Sequence, residues 1–178
     1  MNRLIPTVAA VTSIVTLVMT SIITPACMAA PSQILSTDLN GSDLAFFSGA
    51  PAQIALVAGL SAMARDRAIT PEIKEMASGI ASGQTALAAR IKDLAAAKHV
   101  PISVEVDGAG KKQLQSLSRL KGPKFDKTCV DMLSDALDSL RQALAPGAAS
   151  SDADIKSLAQ SSLDTVKQER DRLRKLGI

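Results

Sequence analysis

Thr70-Pro71-Glu72-Ile73-Lys74-Glu75-Met76-Ala77-Ser78-Gly79-Ile80 decides the fold class. Thr70 is a good N-cap residue, and Pro71 suits the first helical position, where a missing N–H costs nothing. From Ile73 the apolar positions step by three and four through Met76/Ala77, Ile80, Leu87, Ile91 and Leu94. That spacing predicts one helical face that runs to about Lys98. Gln84 falls in the middle of that face.

The same period recurs on both sides. Asn40-Gly41 before Ser42-Asp43 reads as a turn and cap, so a first helix is expected from Ser42 to about Ala68. Gly49-Ala50-Pro51 predicts a kink or break within it, because proline removes a backbone donor and crowds the preceding turn. A later helix from about Lys124 to Leu144 carries Phe125, Cys129, Met132/Leu133, Ala136, Leu140 and Leu144 on one side, and Ala145-Pro146-Gly147 is expected to stop it. Ser151-x-x-Asp154 resembles a capping box for the last helix, which reaches Leu176 with Ile155, Leu158/Ala159, Ser162, Val166 and Leu173 in its stripe. Glu169 falls inside that stripe. Between these helices His99 to Asp107 alternates apolar and polar residues, but no second strand exists to pair with it. Asp107 can cap a short helix bearing Leu114, Leu117 and Leu120, ended by Gly122-Pro123. The expectation is an all-α protein: a four-helix bundle of long amphipathic helices, with a kinked first helix and a short extra helix before the third.

Composition narrows the function. With 178 residues, 47% of them apolar, the chain suits one globular domain. Its 20 Lys and Arg against 17 Asp and Glu leave no strongly cationic surface, and three Phe with no Trp or Tyr give bases little to stack on. Nucleic acid is not expected as a partner. Basic residues near the end of the last helix suit the helix dipole and a solvated face, with contact to an anionic membrane or polymer as the weaker alternative.

The N-terminus reads as an export signal. Met1-Asn2-Arg3 precedes an uncharged run from Leu4 to Ile23, and Cys27-Met28-Ala29 offers small residues for cleavage after Ala29. Residues 1–29 are therefore expected to form a signal peptide, 30–41 a flexible leader and 42–178 the bundle domain. A retained membrane anchor is the alternative for the same run, and lipidation of Cys27 is another, although Thr24 and Pro25 fit that pattern poorly. Contact with a membrane is expected only in those two cases. After cleavage Cys129 is the only cysteine left, and it is expected to be a buried small apolar residue.

Catalytic patterns fail on their spacing. The single imidazole, His99, stands at a helix end before Val100-Pro101, with no nucleophile elbow in the chain. Gly108-Ala109-Gly110-Lys111-Lys112 lacks both the upstream glycine and the hydroxyl after lysine that a phosphate loop needs. Bundle metal sites use Glu from two helices and Glu-x-x-His from two others, and the chain has no Glu-x-x-His. Gln84 and Glu169 form the candidate interior polar site, with one charge, too little for two divalent ions. No catalytic residue, metal ligand or cofactor is expected. If Gln84 is idle, Gln84→Leu should be neutral or stabilising; a loss above roughly 2 kcal/mol would reveal a paired network.

Ala64-x6-Pro71-Glu72-Ile73-Lys74-x2-Ala77, Leu94-Ala95, Val100-Pro101 and Leu117-x2-Leu120-x-Gly122-x2-Phe125-Asp126 resemble the bacterial family of domain of unknown function 4142. The resemblance implies an exported, ferritin-like helical bundle from Ser42 to about Leu176. It also implies an Asp-His pair on the second helix, a His on the third, another on the fourth and a Glu on the first. By register this chain has Gly83-Gln84, Leu137, Glu169, and Val57 or Gly59 at those places. The resemblance thus carries fold and export, and not the polar site. The function expected is a non-catalytic binding or structural protein of the periplasm or cell envelope. The alternatives are a residual metal-binding or redox protein and a membrane-anchored lipoprotein.

Overall fold

The chain starts its first helix with a reciprocal cap. In the computed structural model, which describes residues 39–176, the Asn40 side chain accepts from the amides of Ser42 and Asp43 at 2.8 and 3.0 Å. Asp43 in return accepts from the Asn40 amide at 3.0 Å. Orphan donors of the first turn are thereby satisfied. Helix α1 spans Gly41–Arg67, α2 Pro71–Ala97, α3 Gly108–Ser118, α4 Gly122–Ala148 and α5 Ala153–Lys175. The expected signal, leader and Cys27 site lie largely or wholly outside the described residues.

The helix ends fix the topology. Arg67 closes α1 by donating to the Leu120 carbonyl at 2.8 Å and lying 4.8 Å over the Phe125 ring, just where α4 begins. At the opposite end Gly147 of α4 lies against Phe46 of α1, so α1 and α4 run antiparallel. Lys98, after α2, pairs with Asp152 and, at 3.7 Å, with Asp154, where α5 begins. Two helical hairpins, α1–α2 and α4–α5, are therefore joined by one long crossover, residues 98–121, which returns along the bundle and includes α3. Helix α1 packs on both α2 and α4, α5 packs on α4, and α2 meets α5 only loosely. Val100, Ile102 and Val106 of the crossover turn into the core while Pro101, Ser103 and Glu105 face outward, so the alternation in the sequence serves a strap rather than a strand.

Four sequence expectations are corrected. Helix α1 passes through Pro51 without a break: Phe46, Phe47, Ala50 and Ile54 around it are all buried. Their burial outweighs a cost of about 3 kcal/mol for an interior proline. Nor is α1 amphipathic, because it is apolar on every side and touches α2, α3 and α4. Helix α4 does not stop at Leu144 but continues to Ala148, since Gly147 belongs to the packing: a Cβ there would lie 2.6 Å from the Phe46 ring and 2.9 Å from Ala159. Finally, Asp152 rather than Ser151 caps α5, accepting from Asp154 and Ile155 at 3.0 and 3.1 Å. The ion pair with Lys98 holds the Asp152 carboxylate in place.

Helix α2 ends in a Schellman motif. The His99 amide donates to Ala96 and the Val100 amide to Ala95, at 3.1 and 2.8 Å, with His99 at φ 57°. His99 is exposed and sits in a conformation that glycine adopts without strain. Two glycine exchanges should therefore move stability in opposite directions in urea unfolding. Replacing His99 by Gly should add about 0.5–1 kcal/mol. Gly147→Ala should remove about 1–3 kcal/mol, despite alanine's better helix propensity, because its methyl group overlaps Phe46.

Candidate functional site

Gln84 and Glu169 meet because each occupies a position where its helix would otherwise place an apolar side chain. On α2 the buried positions run Ile73, Ala77, Ile80, Gln84, Leu87, Ile91 and Ala95. On α5 they run Ile155, Leu158, Ala159, Ser162, Val166, Glu169 and Leu173. Gln84 is 1% exposed and Glu169 8%, and the Gln84 Nε2 donates to Glu169 Oε2 at 3.0 Å. Gly83 makes room for the carboxylate, since a Cβ there would lie 3.3 Å from Glu169 Oε1.

Burial dominates the electrostatics of this pair. Loss of water around the carboxyl pushes the Glu169 pKa up from 4.5 to about 7, against the opposing pull of the Gln84 hydrogen bond and of Arg172. The Gln84 Oε1 is buried with no hydrogen-bond partner among the described residues. A buried acceptor left in this way costs about 1–3 kcal/mol, so the pair is a polar site maintained at the expense of stability.

The other register positions are apolar. Leu137 and Val57 are fully buried, while Gly59 faces α3, where a Cβ would lie 3.2 Å from Leu114. Val57 is thus the first-helix residue that points into the core. Ser162 directs its hydroxyl to the Leu158 carbonyl at 2.6 Å. Among the described residues no three of His, Cys, Asp and Glu converge as metal ligands. One carboxylate and one amide present a single full charge, a weak donor set for a divalent cation. Cys129 is buried, as its place in the stripe implied, and its thiol is pushed up to about 12. Burial is the main cause, with nearby Asp126 adding and Arg67 opposing.

Two features were not anticipated from the sequence. Asp126 is buried on α4 and accepts from the amides of Ile69 and Thr70 and from the Thr70 hydroxyl, at 3.1, 2.9 and 2.6 Å. It thereby holds the turn between α1 and α2 from another helix, while the Thr70 side chain makes no capping hydrogen bond to α2 among the described residues. Its position beside Phe125, at the edge of the apolar stripe, was the available signal. The second feature is a groove along the α2–α5 seam. A larger hollow of about 610 Å³ is lined by Glu72, Glu75, Met76, Ile80, Glu169 and Arg172. A smaller one of about 210 Å³ contains Gln84, Leu87, Arg90 and Ser162. Gly83 and Thr165 belong to both. Gly79 and Gly83, one turn apart, were the signal for the opening.

Gln84 is therefore not idle, and two measurements follow. The folded protein holds a proton on Glu169 that the unfolded chain releases above pH 4.5. This stabilisation is fully present below pH 4.5 and is lost as the pH rises through about 7. The unfolding free energy should fall by about 2–3 kcal/mol between pH 5 and pH 8 from this group, and Glu169→Gln should remove that part of the slope. Gln84→Leu should cost about 1–3 kcal/mol at pH 8 and less at pH 5, where a protonated carboxyl depends less on its partner.

No curated protein and no solved structure matches the chain. Residues 29–176, which include every helix of the bundle, match the family described as Domain of unknown function (DUF4142), and the chain belongs to that family.

Proposed function

We propose that the protein is an exported, non-catalytic helical bundle of the bacterial cell envelope that binds a ligand without transforming it. The observation that carries this reading is the Gln84–Glu169 pair: two helices turn polar groups into one interior point, and they supply an amide and a single carboxyl there. Such a pair can donate and accept hydrogen bonds and exchange a proton, but it contains no nucleophile with a base to activate it. The chain's one imidazole, on His99, is exposed and serves the turn that ends α2.

The run from Leu4 to Ile23 after Arg3, followed by Cys27-Met28-Ala29, supports export. The family match begins at residue 29, beside the expected cleavage after Ala29. Two hairpins joined by one long crossover are the connectivity of a ferritin-like bundle, and that resemblance supports descent from a fold whose interior holds polar groups. With Leu137 and Val57 fully buried in place of ligands, the interior is a hydrogen-bonding site rather than an ion cage.

Protein purified from a periplasmic extract should begin at Ala30 and contain less than one iron, manganese or zinc ion per chain, as read by intact mass and elemental analysis. An intact Met1 would overturn the export reading with cleavage. One or two tightly held ions per chain would overturn the non-metal reading of the interior.

A further inference from the structure

Helices α2 and α5 leave a groove where the other helix pairs close. The larger hollow, about 610 Å³, lies within the usual size of a small-molecule site. Gly79 is exposed and a Cβ there would meet nothing within 4 Å, so the α2 wall stands bare. Met76 and Ile80 line that wall with apolar surface. Glu72 and Glu75 stand exposed toward the start of α2, Glu169 lies buried farther along, and Arg172 is the only cation lining the hollow among the described residues.

Charge selects the ligand class. Three carboxyl groups face one guanidinium, an acidic excess that repels anions and, once Glu169 is ionised, leaves two negative charges to be matched. A single metal ion cannot use them together: Glu75 and Gly83, which abuts Glu169, are eight residues apart, about 12 Å along the helix. An extended molecule with a cation at each end and an apolar middle suits that spacing. The buried end also has an unmet need, because Gln84 lines the adjoining hollow and its Oε1 has no hydrogen-bond partner among the described residues. An ammonium group has three donors and can satisfy Gln84 Oε1 and Glu169 together.

We propose that the α2–α5 groove binds a small aliphatic diamine, with one ammonium group between Glu169 and Gln84 and the other at Glu72 and Glu75. This rests on the reading of the protein as a binding protein and adds the ligand class. The carboxyl of Glu169 meets the incoming cation as a carboxylate, so its proton passes to solvent on binding. Glu72 and Glu75 from α2 and Arg172 from α5 are the other charged groups lining the same hollow.

The test is calorimetric titration of the purified protein with 1,8-diaminooctane, whose extended length matches that spacing, with 1,8-octanediol and octanedioate as neutral and anionic counterparts of similar length. Saturable binding of the diamine alone is expected, weakened at least about tenfold by Glu169→Gln. Gly79→Leu should fill the hollow and abolish binding while the protein melts at the same or a higher temperature, since the new side chain enters open space and leucine favours helix. Failure of the diamine to saturate by about 10 mM, equal binding of the diol, or unchanged binding by Gly79→Leu would overturn the proposal. Those results in a metal-free protein would refute the diamine and leave the non-metal reading of the interior standing. Stoichiometric metal would refute that reading on its own.

Discussion

Helix α1 has no polar face to give to water, and the rest of the bundle is arranged to cover it. Phe46, Ala50, Ile54, Val57, Leu60 and Ala64 are all fully buried. Each large apolar side chain removed from water contributes about 1.5–3 kcal/mol, so the arrangement that surrounds α1 prevails over local preferences such as the break at Pro51. By length and composition α1 could span a membrane, but half of its most apolar window is buried against its neighbours. Helix α2 covers one side as a hairpin partner. The crossover then returns the chain so that α4 covers another, and α3 lies over what remains. Small residues permit the approach: Gly59 under Leu114, Gly49 under Ala143 and Gly147 under Phe46.

Covering α1 so fully decides where the bundle is open. Helix α5 is held to α4 by its apolar stripe and by the 2.9 Å ion pair from Arg170 to Asp138. Helix α2 is held to α1. Neither hairpin requires α2 and α5 to close on each other, so their seam carries the two hollows and the Gln84–Glu169 hydrogen bond bridges it. A carboxyl at such a seam is poorly hydrated but still borders open space, which is why its proton is retained to about pH 7. The polar pair thus follows from the packing order of the helices as much as from the two residues themselves.

The helical period made most of the bundle legible. Helices α2, α4 and α5 show their buried faces in steps of three and four, and Gln84 and Glu169 were visible as the polar interruptions of those steps. What was illegible depended on contacts distant in sequence. Pro51 and Gly147 read locally as breaks, yet each is held within a helix by side chains from elsewhere. Asp126 caps a turn more than fifty residues away. Asp152 displaced Ser151 as the cap where a lysine from the end of α2 reaches it. The groove was illegible for the same reason: Gly79 and Gly83 show that a surface lacks side chains, not which helix faces it.

The tightest packing and the open seam consequently belong to different helix pairs. The contacts that hold the domain lie between α1 and its neighbours α2 and α4, between α4 and α5, and at the two ends, where Arg67 and Asp126 tie one set of turns and Lys98 and Asp152 the other. Of the residues lining the larger hollow, Glu72, Glu75, Gly79 and Arg172 are exposed and make none of these ties. A sequence can therefore change the chemistry of the seam while α1 remains fully covered. The same separation places Leu137 and Val57 in the interior, where an apolar residue deepens the core, and leaves the Gln84–Glu169 pair at the seam that the core does not need closed.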